Sequence, residues 1–141
     1  MNSILAAKLA SVCAAALLLT FDAVSGEAKA LCTTRSIEGN YAYLVSGTNV
    51  GGGPVAAVGL VIADGEGSLT AGDTVSANGQ IIRRMITGTY TVNDDCTGTV
   101  TFTDQFGLTT HLDFVLSRGY QELNFIQTDP GTVTTGIGRK Q

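Results

Sequence analysis

The chain holds a single histidine, His111, with a carboxylate, Asp113, two residues on. On a strand, residues two apart share a face, so the pair could stand as a general base beside an orienting acid. Asp73 and Arg84 form a second constellation, placed symmetrically about Asn78-Gly79. If those two residues make a turn, the carboxylate and the guanidinium meet as an ion pair. Tyr90 follows on the strand that carries Arg84 and could add a hydroxyl. Asp64 with Glu66, and Asp94 with Asp95, could offer oxygens to calcium, but their spacing matches no calcium loop.

Familiar catalytic patterns are missing. There is no H-E-x-x-H, C-x-x-C, G-x-x-x-x-G-K-[ST], G-x-S-x-G or S-x-x-K, and no dinucleotide fingerprint in a strand-turn-helix setting. One histidine and two paired cysteines make a zinc site a poor expectation. No catalytic residue, metal or cofactor is therefore assigned, and the chain reads as a non-enzyme. The net charge of −4 and the lack of a basic patch argue against nucleic acid and anionic membranes as partners.

The elements that position these residues begin after an N-terminal leader. Met1–Lys8 carries one positive charge, and Leu9–Phe21 is an unbroken run of apolar and small residues. Ala28-Lys29-Ala30 fits the small-x-small cleavage pattern, with Ala23-Val24-Ser25 as a second cut. Together these read as a secretory signal peptide over 1–30, followed by one domain over 31–141. The expected location is the periplasm or the extracellular space. Cys13 leaves with the leader, so Cys32 and Cys96 are expected to form one disulfide in an oxidising compartment.

Residues 31–141 are rich in Thr, Val, Ile and Tyr, punctuated by Gly, Asn and Asp, with no helical period. That pattern predicts eight strands, at 39–47, 54–63, 67–77, 80–92, 97–104, 108–117, 120–128 and 132–139. Asn78-Gly79 is a type I′ hairpin signal and sets Asp73 opposite Arg84 and Val75 opposite Ile82. A two-residue turn within Asp64-Gly65-Glu66-Gly67 sets Ile62 opposite Leu69. A three-residue loop ending at Gly107 sets Phe102 opposite Thr110 and Val100 opposite Leu112. A turn at Arg118-Gly119 sets Phe114 opposite Leu123, and Asp129-Pro130-Gly131 makes the last turn.

These registers define an inner face of Leu60, Ile62, Leu69, Ile82, Ile86, Phe102, Leu112, Phe114, Leu116, Leu123 and Phe125, shared by Asp73, Arg84 and Tyr90. His111 falls on the outer face, opposite Thr101. Val55, Ala57, Gly59 and Val61 fall on the outer face of the second strand, where they suggest cover by the N-terminal segment or self-association. Ser46–Gly53 is expected as a glycine-rich connection that could act as a lid. Eight short-looped strands predict an all-β, eight-stranded antiparallel up-and-down barrel, with a two-sheet sandwich as the alternative.

Three runs carry a resemblance. Gly88–Thr99 (GTYTVNDDCTGT), Gly72–Gly79 (GDTVSANG) and Phe125–Gly131 (FIQTDPG) look like those of small exported bacterial β-barrel proteins without an assigned activity. The architecture this implies is similar to calycin and allene-oxide-cyclase type barrels. Gly39-Asn40-Tyr41 stands where lipocalins carry Gly-x-Trp, without the Trp. The resemblance carries over no catalytic residue.

Two functions follow. One is a binding module that holds a small apolar or amphipathic ligand in the barrel, with Asp73, Arg84 and Tyr90 as its polar anchors. The other is a structural or interaction protein with a fully packed interior.

Overall fold

The computed structural model describes residues 31–141, so the expected leader over 1–30 lies outside the described residues. Eight antiparallel strands follow in order: β1 Gly39–Asn49, β2 Gly53–Ala63, β3 Ser68–Ala77, β4 Gln80–Val92, β5 Thr97–Asp104, β6 Thr109–Leu116, β7 Glu122–Gln127 and β8 Thr132–Lys140. Each pairs with its neighbour in sequence, and β8 pairs with β1, closing the sheet. Among the described residues, closure leaves no edge strand. The fold is the eight-stranded up-and-down barrel that the turn spacing predicts.

Local chemistry explains the β3–β4 register. Asn78 and Gly79 both take positive φ, as a type I′ turn demands. Ala77 then faces Gln80, Val75 faces Ile82 and Asp73 faces Arg84. The β5–β6 register also matches expectation, with Phe102 opposite Thr110 and Val100 opposite Leu112.

The β2–β3 turn does not. Asp64 N–H donates to the Ser68 carbonyl, and Asp64 Oδ1 accepts from the backbone N–H groups of Glu66 and Ser68. The loop is therefore three residues long, and Ala63 faces Leu69 while Ile62 faces Thr70. A slip of one residue turns a whole strand over. Val55, Ala57, Val61 and Ala63 line the interior, whereas Leu60 and Ile62 point outward, 42% and 49% exposed. Both sets lie on the face opposite to the one expected.

A second shift, harmless to the facing, occurs at β6–β7. A short 3-10 turn, Arg118–Tyr120, widens the connection, and Ser117 N–H donates to the Glu122 carbonyl. Phe114 then faces Phe125 and Leu116 faces Leu123. The shift is two residues, so every side chain keeps its predicted face. The expected long connection at Ser46–Gly53 is also shorter: Thr48 and Asn49 pair with Pro54 and Gly53, which leaves only residues 50–52 between the strands.

One end of the barrel is closed. Cys32 and Cys96 are joined, and the bridge ties the segment before β1 to the β4–β5 turn. A 3-10 turn, Thr34–Ile37, follows Cys32. Cys32, Ile37, Tyr41, Leu69, Tyr90, Phe114 and Leu116 form one buried cluster at this end. The other end is a rim of four turns, with Val50, Phe106 and Leu108 exposed on it.

Candidate functional site

Above the buried cluster the barrel is hollow. A cavity of about 690 Å³ runs from Ile37 and Tyr41 at the closed end to Asn49, Phe106 and Pro130 at the rim. Its wall is mainly aliphatic and aromatic, because each strand turns alternate Val, Ile, Leu, Ala and Phe side chains inward.

One polar cluster interrupts that wall. Arg84 donates from Nε to Asp73 Oδ1 at 3.0 Å and from Nη2 to Asp73 Oδ2 at 2.6 Å. This is a bidentate, charge-assisted pair. The Asp73 side chain is wholly buried, and that of Arg84 keeps 18% of its surface. The Tyr43 hydroxyl donates to Asp73 Oδ2 at 2.9 Å. Arg84 Nη1 lies 3.9 Å from Asp104 Oδ2, and the guanidinium sits 6.0 Å from the centroid of the Phe102 ring. A single cation thus faces two carboxylates.

Environment sets the protonation states. Burial, then the Asp73 charge and its hydrogen bond, push the Tyr43 phenol far above its ordinary value, so it stays a donor. Burial alone would lower the pKa of Arg84, but the hydrogen bonds and charge of Asp73 outweigh it and raise the value.

Asp104 has a second task. Its Oδ1 accepts from the backbone N–H groups of Phe106 and Leu108, which shapes the β5–β6 loop at the rim. Among the described residues, its Oδ2 accepts no hydrogen bond, and Arg84 Nη1 donates none. Arg84 and Asp104 both line the cavity.

Tyr90, expected beside Asp73 and Arg84, lies away from them. Its hydroxyl accepts from Gly65 N–H at 2.8 Å and lies 3.4 Å from the Thr34 carbonyl, so it closes the disulfide end. Tyr43 occupies the place expected of it. Sequence reasoning missed Tyr43 because the inverted face of β2 hid Gly59, its cross-strand partner. A glycine opposite a tyrosine on an inner face is the signal that could have found it.

His111 lies on the outer wall, opposite Thr101. Its Nδ1 is 2.7 Å from Asp129 Oδ1 at the rim, and Asp113 is not its partner. The acidic turns at Asp64 and Asp95 use their carboxylates on nearby backbone N–H groups. Among the described residues no group of three or more His, Cys, Asp and Glu side chains is placed to hold a metal ion.

No known family model matches the sequence, and no curated protein is similar to it in sequence. The fold is similar to that of solved designed barrels. A de novo designed fluorescence-activating β-barrel aligns with a TM-score of 0.54 and 12% identity, over 77% of this chain and 96% of its own. A redesigned barrel, mFAP0, bound to DFHBI, aligns with a TM-score of 0.54 and 15% identity, over 74% and 99%. Identities this low speak for the barrel architecture alone.

Proposed function

We propose that this protein is an exported binding module that holds a small, mainly apolar ligand inside the barrel. The cavity of about 690 Å³ carries the reading. Ligand pockets typically span roughly 300–1,000 Å³, with apolar walls and a few convergent polar groups. A barrel built only as a scaffold gains from a filled interior, since empty apolar space forfeits packing. The designed barrel bound to DFHBI supports, by analogy, the idea that this architecture can enclose a small molecule. Asp73 and Arg84 form the polar anchor, with Tyr43 in the role first given to Tyr90. No group on the cavity wall argues for a catalytic step.

Export rests on the leader-like pattern in Met1–Ala30, and the Cys32–Cys96 bridge supports an oxidising compartment. N-terminal sequencing of protein from its native host should begin near Leu31. Self-association through β2 remains a further proposal, now through its even-numbered outer residues Val58, Leu60 and Ile62. Sedimentation should then give a dimer that Leu60→Lys dissociates.

Native mass spectrometry of protein purified from its own host tests the main reading. A bound small molecule lost on denaturation is the expected result. A protein that arrives empty and also takes up no neutral apolar probe would overturn it.

A further inference from the structure

The polar cluster is specific about the kind of head group it can take. Asp73 accepts one N–H each from Arg84 Nε and Nη2, and its Oδ2 also accepts from the Tyr43 hydroxyl. Among the described residues, both N–H bonds of Arg84 Nη1 and the second N–H of Nη2 are left without an acceptor, and Asp104 Oδ2, 3.9 Å from Nη1, is left without a donor. A single oxygen can sit at ordinary hydrogen-bond distance, about 2.7–2.9 Å, from Nη1 and Oδ2 at once. That oxygen must accept from the guanidinium and donate to the carboxylate. A hydroxyl does both through one atom.

Other head groups fit less well. A carboxylate could accept from Arg84, but it would bring a third negative charge to a site that holds one cation. It would also face Asp104 Oδ2 with no proton between them, and like charges in a desolvated site repel strongly. An ammonium would satisfy Asp104 and repel Arg84. A ketone would leave Asp104 Oδ2 desolvated and unpaired, which is costly. Bulk apolar surface would remain against Val75, Ile82, Phe102 and Leu112, which line the surrounding wall.

We propose that the ligand of this barrel is an uncharged apolar alcohol or phenol, whose hydroxyl bridges Arg84 Nη1 and Asp104 Oδ2. This rests on the binding-module reading above and adds the chemical class of the ligand. It also gives Asp104 a selective role. Its negative charge excludes anionic amphiphiles, while its Oδ1 holds the rim loop.

The test is a matched series of four probes measured by titration calorimetry at neutral pH on the disulfide-bonded protein: naphthalene, 1-naphthol, 1-naphthoate and 1-naphthylmethylammonium. Naphthol should bind tightest, exceeding naphthoate by at least about tenfold, a margin one good polar contact supplies. Asp104→Asn keeps an oxygen for the Phe106 and Leu108 N–H groups and removes the charge. In that variant the preference for naphthol over naphthoate should shrink several-fold, chiefly through tighter naphthoate binding. Naphthoate or the ammonium binding as tightly as naphthol, in a protein that binds naphthalene, would overturn the hydroxyl proposal and leave the cavity reading standing. Failure of both naphthalene and naphthol to bind would overturn the cavity reading itself. The four-probe comparison on the unmodified protein decides the matter even where Asp104→Asn does not fold.

Discussion

Tyr43 and Asp73 sit on strands that are not paired with each other, yet the tyrosine hydroxyl donates to the carboxylate at 2.9 Å. Between them lies β2, and the residue of β2 in that row is Gly59, opposite Tyr43 on one side and Asp73 on the other. A methyl group at Gly59 would lie 2.7 Å from Tyr43 Cζ and 2.6 Å from both Asp73 Cβ and the Gly72 carbonyl. The bare backbone is what lets the phenol reach over one strand to the next.

Gly59→Ala should therefore destabilise the barrel by about 1–3 kcal/mol, the usual cost of forcing extra volume into a packed site. Denaturant unfolding measures it. Tyr43→Phe in the same background should recover little, because the Gly72 carbonyl also stands in the way. An alanine variant as stable as the parent would show that the row has room to spare.

The Asp73–Arg84 pair gives a contrast between single and double replacement. Arg84→Met strands a fully buried carboxylate and should cost roughly 3–5 kcal/mol. Asp73→Leu with Arg84→Met, together with Tyr43→Phe to remove the orphaned hydroxyl, should cost far less and leave the fold intact. A thermodynamic cycle over these variants reads the coupling. Independent, additive losses would mean that the pair is not acting as a unit.

Alkaline titration isolates Tyr43. Its folded pKa lies above its unfolded one, through burial first and the Asp73 charge second. The stabilisation is fully present below the unfolded value of about 10 and is lost as pH climbs from there towards the folded one. Tyr43 should stay protonated well above the ordinary phenol range. The phenolate difference spectrum between parent and Tyr43→Phe should stay flat until the barrel unfolds.

Acid should act on two turns. The His111 hydrogen bond holds the Asp129 pKa below the usual carboxylate value, and the Ser68 and Glu66 N–H groups do the same for Asp64. Depressed folded values mean that stability is present above the unfolded value of about 3.9 and is lost as pH falls through the folded ones. Asp64→Asn and Asp129→Asn should each flatten the fall in Tm below pH 4. Unchanged acid profiles in both variants would count against these contacts.

Reduction tests the closed end. Cys32 and Cys96 stand 64 residues apart, a loop whose closure is worth about 4 kcal/mol in the chain-entropy model. The Cys32→Ser/Cys96→Ser variant should lose stability of that order. The native protein should present neither cysteine to an alkylating reagent.

The sequence alone determined the barrel, the strand bounds to within a few residues, the cysteine pair and the meeting of Asp73 with Arg84. The registers depend on chemistry close along the chain, positive φ at Asn78 and Gly79 and Gly107 at the end of its loop, whereas the cysteine pair, 64 residues apart, follows because Cys32 and Cys96 are the two cysteines of residues 31–141. The β2 error is instructive because its signal was also local. Asp64-Gly65-Glu66-Gly67-Ser68 repeats the Asp-x-x-Gly-x spacing of Asp104-Gln105-Phe106-Gly107-Leu108, and both aspartates bind the same two N–H positions. Read alike, the two loops give the correct face. Other features had no such signal. The Tyr43–Asp73 bond crosses an intervening strand, and the Arg84–Asp104 approach joins two strands through side chains of different rows. Whether eleven bulky inner residues fill a barrel or leave a cavity depends on which of them face in on every strand at once. Leu60 and Ile62 point outward, and smaller Val61 and Ala63 take their places inside. A one-residue slip in a single turn thereby exchanges large side chains for small ones across the wall, and the interior volume is a sum that only the closed ring completes.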